Sequence, residues 1–256
     1  MKDNNYIIPV VSVIVYLLFC YFGQIYMKDK KPFGLNSSLA AWNLFLTIFS
    51  AYGMIRMVPH TLWLLQTKTF EETVCEPAHT LYGAGASGLA VQLFCLSKIP
   101  ELIDTVFIVL RKKKLIFLHW YHHVTVLVFC WDSYVTESSA GHYFASMNLT
   151  VHAIMYFYFY MQAIKSVPKW FPTWIITFTQ IAQMVAGTFI VCSCIYYHIY
   201  GGQKYAPGEC NKISNLTVGG VIYASYLFLF VQFAVERFLF PDSPSPAGKG
   251  KGKKSD

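Results

Sequence analysis

The chain has 256 residues, of which 55% are hydrophobic, 18% are aromatic and only 13% are charged. Soluble domains carry about 25% charged residues, so this composition argues against a water-soluble protein and favours a lipid bilayer as the solvent. The net charge of +7 could indicate a nucleic-acid partner, but the basic residues lie at the edges of apolar runs, where they serve as solvated topology markers or meet anionic headgroups and phosphates.

Apolar segments long enough to cross a bilayer as helices, about 20 residues each, follow one another along the chain. The first is longer than the apolar part of a signal peptide and no basic stretch precedes it, so we expect it to remain as a helix. We predict an all-α integral membrane protein with one seven-helix domain over 1–240 and a disordered basic tail over 241–256. The seven segments lie near 6–27, 39–66, 88–110, 115–134, 142–164, 171–197 and 218–240.

Lysine and arginine residues between these segments alternate between two sides, and we expect the richer side to be cytosolic. With seven spans, the N-terminus is then luminal and the C-terminus cytosolic. The chain ends in Lys253-Lys254-Ser255-Asp256, which resembles the dilysine retrieval signal of the endoplasmic reticulum, although a lysine-rich tail could end this way by chance. The cytosolic set comprises Lys28, Lys30, Lys31, Arg111, Lys112, Lys113, Lys114, Lys165, Lys169, Arg237, Lys249, Lys251, Lys253 and Lys254.

Two of the seven cysteines differ from the rest, because Cys75 and Cys210 fall in the two long luminal loops. The lumen is oxidising, so we predict that these two form a disulfide. The other five lie within apolar spans and are expected to pack there. Of the glycosylation sequons, only the one at Asn215 is predicted to lie on the luminal side and outside the middle of a span.

The third segment contains Lys98-Ile-Pro-Glu101-Leu-Ile-Asp104-Thr105, in which Lys98, Glu101 and Thr105 share a helical face. Pro100 is expected to bend the helix. An unpaired charge at the bilayer centre costs about 2.5 to 3.5 kcal/mol, so these charges must be paired or solvated. An ion pair of Lys98 with Glu101 that locks helices together is one explanation; a functional alternative adds that Asp104 orients a histidine.

The fourth segment begins with His119-Trp-Tyr-His122-His123, the strongest chemical signal in the chain. Steps of three and four residues place the three imidazoles on one side of a helix, so they converge on one volume. Polar side chains at membrane depth normally face a protein interior or a cavity, and three together indicate a site.

The next two segments each carry a polar stripe of their own. Interhelical hydrogen bonding could account for either stripe alone. Four consecutive segments that each turn polar groups inward are, however, what a buried reaction chamber requires. The stripes are Asn148, His152 and Tyr156, then Thr177, Gln180 and Gln183.

These motifs, in this order and spacing, closely resemble the very-long-chain fatty acid elongase (ELO) family. The resemblance implies that the last six helices enclose a narrow acyl-chain tunnel. It also implies condensation of a long-chain acyl-CoA with malonyl-CoA to give 3-oxoacyl-CoA, CoA and carbon dioxide, without a cofactor, in the endoplasmic reticulum membrane. Lys114 stands where polyunsaturate-specific members tend to carry glutamine, which favours saturated or monounsaturated substrates.

Neither histidine motif contains a cysteine, so the resemblance leads us to expect that His122 accepts the acyl group. His152 is then the donor or base toward the malonyl thioester, His119 and His123 position these groups, and Asp104 fixes a tautomer. The residues expected to bind substrate are Lys98, Glu101, Asn148, Tyr156, Gln180 and Gln183, with Arg111, Lys112 and Lys114 at the cytosolic edge.

Two other classes of protein share part of this pattern. Membrane di-iron desaturases and hydroxylases use His-x-x-His-His, but they need several histidine boxes, and this chain has one. A seven-helix receptor or transporter would have no use for clustered histidines beside a basic edge. We expect no metal and no nucleic acid; membrane lipid, a second copy of the chain and other elongation-cycle enzymes are candidate partners.

Overall fold

The computed structural model describes residues 6–240, which are helical throughout apart from turns and connecting loops. The predicted disordered tail and its dilysine-type end lie outside the described residues. Each of the seven predicted segments coincides with one long helix or, for the third, with a broken series. The helices are α1 Ile7–Met27, α2 Asn36–Thr67, α3 Phe70–Cys75, α4 Ala78–Leu81, α5 Gly85–Ser97, α6 Ile103–Leu110, α7 Phe117–Val135, α8 Gly141–Ala163, α9 Trp174–Tyr200 and α10 Ile213–Phe238.

Four of these helices, α1, α2, α9 and α10, are long and apolar enough to cross a membrane, so the chain is a multi-pass membrane protein. The histidines of α7 and the polar stripe of α8 lower the mean hydropathy of those helices. The third predicted span is divided, because α5 ends at Ser97 and a short 3-10 helix, Pro100–Leu102, precedes α6. Proline has no backbone N–H to donate, which is why a continuous α-helix stops there.

The long helices run antiparallel, so the chain alternates between two ends of the bundle. We call the end with the turns at 28–35, 111–116 and 164–173 the basic end, and the opposite end the disulfide end. Helix α2 packs against α8, α9 packs against α8 and α10, and α7 packs against α5 and α10. Helices α9 and α10 can pack closely at Gly187 because glycine has no side chain; an added Cβ there would overlap the ring of Tyr223.

The disulfide end is held by covalent and ionic contacts. Cys75 and Cys210, which are 135 residues apart in sequence, form the predicted disulfide. Burial alone would raise the pKa of Glu71, but hydrogen bonds from the backbone N–H groups of Gln203, Lys204 and Tyr205 lower it overall. The side chain of Lys204, with hydrogen bonds from Thr69, lowers the pKa of Glu72 to about 2.

The structure argues against a glycan at Asn215. This side chain is only 3% exposed, and its Nδ2 donates to Asp132 Oδ2 at 2.8 Å and to Ser133 Oγ at 3.0 Å. An N-linked glycan would have to replace both hydrogen bonds and leave the interior of the bundle.

Candidate active site

A cavity of about 760 Å³ lies inside the bundle, with residues of α2, α6, α7, α8, α9 and α10 in its walls. It extends from the basic end to the motif histidines of α7 and α8. Neither Lys98 nor Glu101, which the sequence suggested as substrate-binding residues, is among the described residues that line it. The predicted site residues that do line it are Asp104, Arg111, His119, His122, His123, Asn148, His152, Tyr156, Thr177, Gln180 and Gln183.

The three histidines of α7 form one cluster, as their spacing predicts. The ring centroids of His119 and His123 are 4.5 Å apart, and those of His122 and His123 are 5.6 Å apart. Tyr226 of α10 packs against His122 at 5.0 Å and donates its hydroxyl to the His122 carbonyl oxygen at 3.2 Å. The cluster is therefore fixed both by its own helix and by α10.

Behind the cavity, the predicted ion pair is part of a larger polar network. Lys98 Nζ donates to the two carboxylate oxygens of Glu101 at 2.8 and 2.9 Å and to Asn148 Oδ1 at 3.0 Å. Ser97 also donates to Glu101, at 2.7 Å. Buried charges need this degree of pairing to be tolerated. Lys98 and Glu101 thus support the wall of the cavity from outside it.

This network determines the proton position on His152. Lysine has only donors, so Asn148 presents its oxygen to Lys98 and its amide NH₂ to His152 Nε2, 3.3 Å away. His152 Nε2 therefore accepts, and the proton of the neutral ring lies on Nδ1, which faces Glu101 Oε2 at 3.9 Å.

Within residues 6–240, neither oxygen of Asp104 is hydrogen-bonded to a histidine, contrary to the expectation from sequence that it fixes a histidine tautomer. Its two oxygens accept from Trp42 Nε1 at 2.6 Å and from the Tyr156 hydroxyl at 2.7 Å. The neighbouring Thr105 contacts the cluster instead, with its Oγ1 at 2.8 Å from His119 Nε2. Asp104 therefore joins α2 to α8 beside the cavity. No motif in the sequence indicated that Trp42 would be its partner.

Several polar side chains that line the cavity, His122, His123 and Gln183 among them, have no hydrogen-bond partner within residues 6–240. Within residues 6–240, neither the ring nitrogens of His122 nor the amide of Gln183 is hydrogen-bonded to another side chain or to backbone. By contrast, Gln180 Nε2 lies 3.3 Å from the sulfur of Met155, a weak acceptor. His122, His123 and Gln183 are thus available to a bound molecule.

A second, smaller cavity of about 60 Å³ continues the first toward the disulfide end. His122, Asn148, Gln183 and Met184 line both cavities. The smaller one is otherwise mainly apolar and aromatic, and the far part of its wall includes Tyr82, Val91, Phe94, Tyr134, Phe144 and Tyr223. An elongated apolar group could therefore extend past His122 into it.

The basic end of the larger cavity carries a set of cations that differs from the one predicted. Arg111 lines the cavity as expected, but Lys112 has φ of 53° and turns back, so that its Nζ donates to the carbonyl oxygens of Lys28 and Lys30. Lys114 is exposed and is not among the described residues that line the cavity. The cations in the lining are Arg111, Lys113, Lys165 and Arg237.

The imidazoles and carboxylates do not form a recognisable metal site. Among the described residues, no three His, Cys, Asp or Glu side chains are grouped so that they could hold a metal ion. The contacts of Asp104, Glu101, His119 and His152 described above are instead with neighbouring protein groups.

Comparison with known proteins gives a consistent result across almost the whole chain. The model of the ELO family, described as the GNS1/SUR4 family, matches residues 2–245. Fatty acid elongase 3 of Trypanosoma brucei brucei is 39% identical over 91% of this chain and 84% of its own length. Putative fatty acid elongase 3 of Caenorhabditis elegans is 37% identical over 90% and 70%. Very long chain fatty acid elongase 6 of Gallus gallus is 37% identical over 88% and 82%.

Proposed function

The chain belongs to the GNS1/SUR4 (ELO) family and acts in fatty acid elongation, and from this premise we propose that it is the condensing enzyme, a very-long-chain 3-oxoacyl-CoA synthase. It joins a long-chain, saturated or monounsaturated acyl-CoA to malonyl-CoA in the endoplasmic reticulum membrane. Seven helices span the bilayer, with the N-terminus luminal, the basic end cytosolic and the last six helices around the acyl chain. No bound cofactor or metal takes part.

The observation that carries this proposal is the position of His122 at the junction of the two cavities. Its ring nitrogens have no hydrogen-bond partner within residues 6–240, while His119 and His152 are hydrogen-bonded. The ring of His123 also has no such partner, but His123 lines only the larger cavity, whereas His122 lines both. An unbonded imidazole nitrogen beside an apolar channel is suited to attack a thioester whose tail lies in that channel.

The proposed reaction has two covalent steps. In the first, a His122 ring nitrogen attacks the acyl carbonyl carbon, the carbon–sulfur bond breaks, and the departing CoA sulfur takes the proton that the imidazole loses. In the second, malonyl-CoA loses carbon dioxide, and the electron pair of the broken carbon–carbon bond forms a thioester enolate. The enolate carbon attacks the acyl-imidazole, the carbon–nitrogen bond breaks, and His122 takes up one proton.

His152 and Gln183 are the proposed groups on the malonyl side. Both line the cavity with His122. The enolate that follows decarboxylation carries negative charge on its oxygen, and donors already in place stabilise such charge without reorganisation. The Gln183 amide supplies such a donor, and so does the Asn148 amide, whose 3.3 Å hydrogen bond to His152 Nε2 is weak enough for a substrate carbonyl to take its place as the acceptor. His152 Nε2 then becomes available as the base.

The cations at the basic end are proposed to bind the phosphates of the two CoA thioesters. We expect the double change Lys165→Gln/Arg237→Gln to raise KM for both thioesters by roughly 5- to 30-fold with little effect on kcat, because each exposed charge contact contributes up to about 1 kcal/mol. The KM of the wild-type protein should also rise with ionic strength more steeply than that of the variant.

Lys169→Gln is the matched control for Lys165→Gln alone, because Lys169 lies in the same turn and is exposed, but is not among the described residues that line the cavity. Equal KM values for these two single variants would show that only the overall charge of this end matters, and would remove the phosphate assignment.

The proposal is tested with the purified full-length protein, a long-chain saturated acyl-CoA and labelled malonyl-CoA, without reductant or iron. We expect labelled 3-oxoacyl-CoA, free CoA and carbon dioxide in equal amounts. Product that appears only with reductant, iron and oxygen would instead identify a desaturase. No consumption of either thioester, across a panel of saturated, monounsaturated and polyunsaturated chains, would overturn the condensing activity.

A further inference from the structure

Helix α1 reaches the histidine cluster through a short chain of buried hydroxyl groups. The Tyr16 hydroxyl lies 2.9 Å from Thr105 Oγ1, which in turn lies 2.8 Å from His119 Nε2. Tyr16 is 4% exposed and Thr105 is fully buried. Most large apolar side chains of α1 point outward by contrast, so Tyr16 is an inward contact on a helix that otherwise faces lipid.

The number of available protons constrains the direction of these hydrogen bonds. Thr105 has one hydroxyl proton to donate. Within the described part of the chain, Thr105 Oγ1 is the only oxygen or nitrogen atom within hydrogen-bonding distance of the Tyr16 hydroxyl. If His119 Nε2 donated to Thr105, Thr105 would have to donate to Tyr16, and within residues 6–240 the buried Tyr16 proton would have only the sulfur of Cys20, a weak acceptor, as a side-chain partner. The favoured arrangement runs from Tyr16 to Thr105 to His119 Nε2, because it gives the Tyr16 proton an oxygen acceptor and a poorly satisfied buried donor is destabilising.

We propose that Tyr16 is a positioning residue that acts through Thr105 to hold His119 in the Nδ1–H tautomer, with its ring packed against His123. This inference rests on the proposed function, because the cluster it orders contains His122. The ring contacts run from His119 to His123 at 4.5 Å and from His123 to His122 at 5.6 Å. Tyr16 itself packs 6.2 Å from His123. Helix α1, which makes few contacts with the rest of the bundle, thereby determines the orientation of His119 and His123 beside the proposed nucleophile His122.

The first test is kinetic. Tyr16→Phe removes one oxygen and keeps the ring, so we expect kcat to fall about tenfold while KM for both thioesters changes less than twofold. Thr105→Val should lower kcat at least as much, and Thr105→Ser, which keeps the hydroxyl, should restore most of it. The double variant Tyr16→Phe/Thr105→Val should be no slower than Thr105→Val alone, because both changes interrupt the same chain.

Tyr21→Phe is the control on the same helix, since Tyr21 is 64% exposed, and it should leave kcat unchanged. A Tyr16→Phe protein with normal kcat would overturn the positioning role while the condensing activity of the wild type stood. So would additive losses in the double variant, because they would assign Tyr16 and Thr105 separate effects.

The second test does not depend on activity. Nitrogen-15 NMR of histidine-labelled protein distinguishes the two neutral tautomers, and His119→Asn identifies the His119 signals by their loss. We expect His119 with its proton on Nδ1 in the wild type and a shifted or mixed signal in Tyr16→Phe. If His119 has the same tautomer in the wild type and in Tyr16→Phe, the inference is overturned, whether or not the protein elongates acyl chains. If the tautomer changes but the wild-type protein elongates no acyl chain, the inference stands and the proposed function fails.

Discussion

Replacement of His122 by alanine is expected to abolish elongation, with kcat reduced by at least about 10³-fold, because the variant has no nitrogen at the position where the acyl group is proposed to attach. The wild-type protein incubated with acyl-CoA alone should gain the mass of one acyl group on the peptide that contains residues 119–123. The variant should gain none. Stopped mixtures analysed by mass spectrometry measure the adduct, and release of free CoA in the absence of malonyl-CoA measures the same step independently.

His79→Ala is the control for histidine replacement in general. His79 lies at the disulfide end, where its exposed side chain is 3.9 Å from Glu137, and its loss should leave turnover and adduct unchanged. A His122→Ala protein that retains the adduct would transfer the nucleophile role to another group of the cavity, with His152 the first to examine. A variant that turns over normally would eliminate covalent catalysis at His122 altogether.

The contrast between Asp104 and Thr105 shows where inference from sequence reaches its limit. Helical periodicity correctly placed the imidazoles of α7 together, and it placed Lys98 close enough to Glu101 for an ion pair. Consecutive residues of a helix, however, point about 100° apart. Asp104 therefore meets Trp42 and Tyr156, while Thr105 meets Tyr16 and His119. Which neighbouring helix lies on each side is a property of the tertiary packing, so the sequence alone could not assign these partners.

The basic turn at 111–114 shows the same limit for a loop. The sequence predicted that Arg111, Lys112 and Lys114 bind substrate at this edge, and of these only Arg111 is among the described residues that line the cavity, together with Lys113, which was not predicted. The left-handed conformation of Lys112 reverses its direction and uses its ammonium group to bind the carbonyl oxygens of Lys28 and Lys30. Lys165 and Arg237 complete the set from two distant parts of the chain. In the sequence, Lys165 and Arg237 are isolated basic residues at the ends of spans. Many such residues serve only as topology markers, so no sequence pattern indicated that these two belong with Arg111 and Lys113.

The second large effect is expected at Lys98, where replacement by methionine should destabilise the protein by about 3 to 5 kcal/mol. The pair of Lys98 and Glu101 is almost fully buried, with 1% and 4% of the two side chains exposed. Removal of one partner leaves the other charge without compensation in the interior of the bundle. The thermal midpoint of the detergent-solubilised protein should fall, and elongation should decline as well, because Asn148 loses the contact that directs its amide toward His152.

Two comparison variants separate charge burial from catalytic positioning. Lys98→Met/Glu101→Leu removes both charges, so it should recover much of the lost stability but little of the activity, since His152 remains without its oriented Asn148. Lys204→Gln breaks an exposed ion pair with Glu72 of similar length, 2.7 Å, and should change stability far less than Lys98→Met does. If Lys98→Met and Lys204→Gln had the same thermal midpoint, burial of the first pair would carry no energetic weight. If the double variant regained activity together with stability, the orientation of His152 would not depend on Lys98.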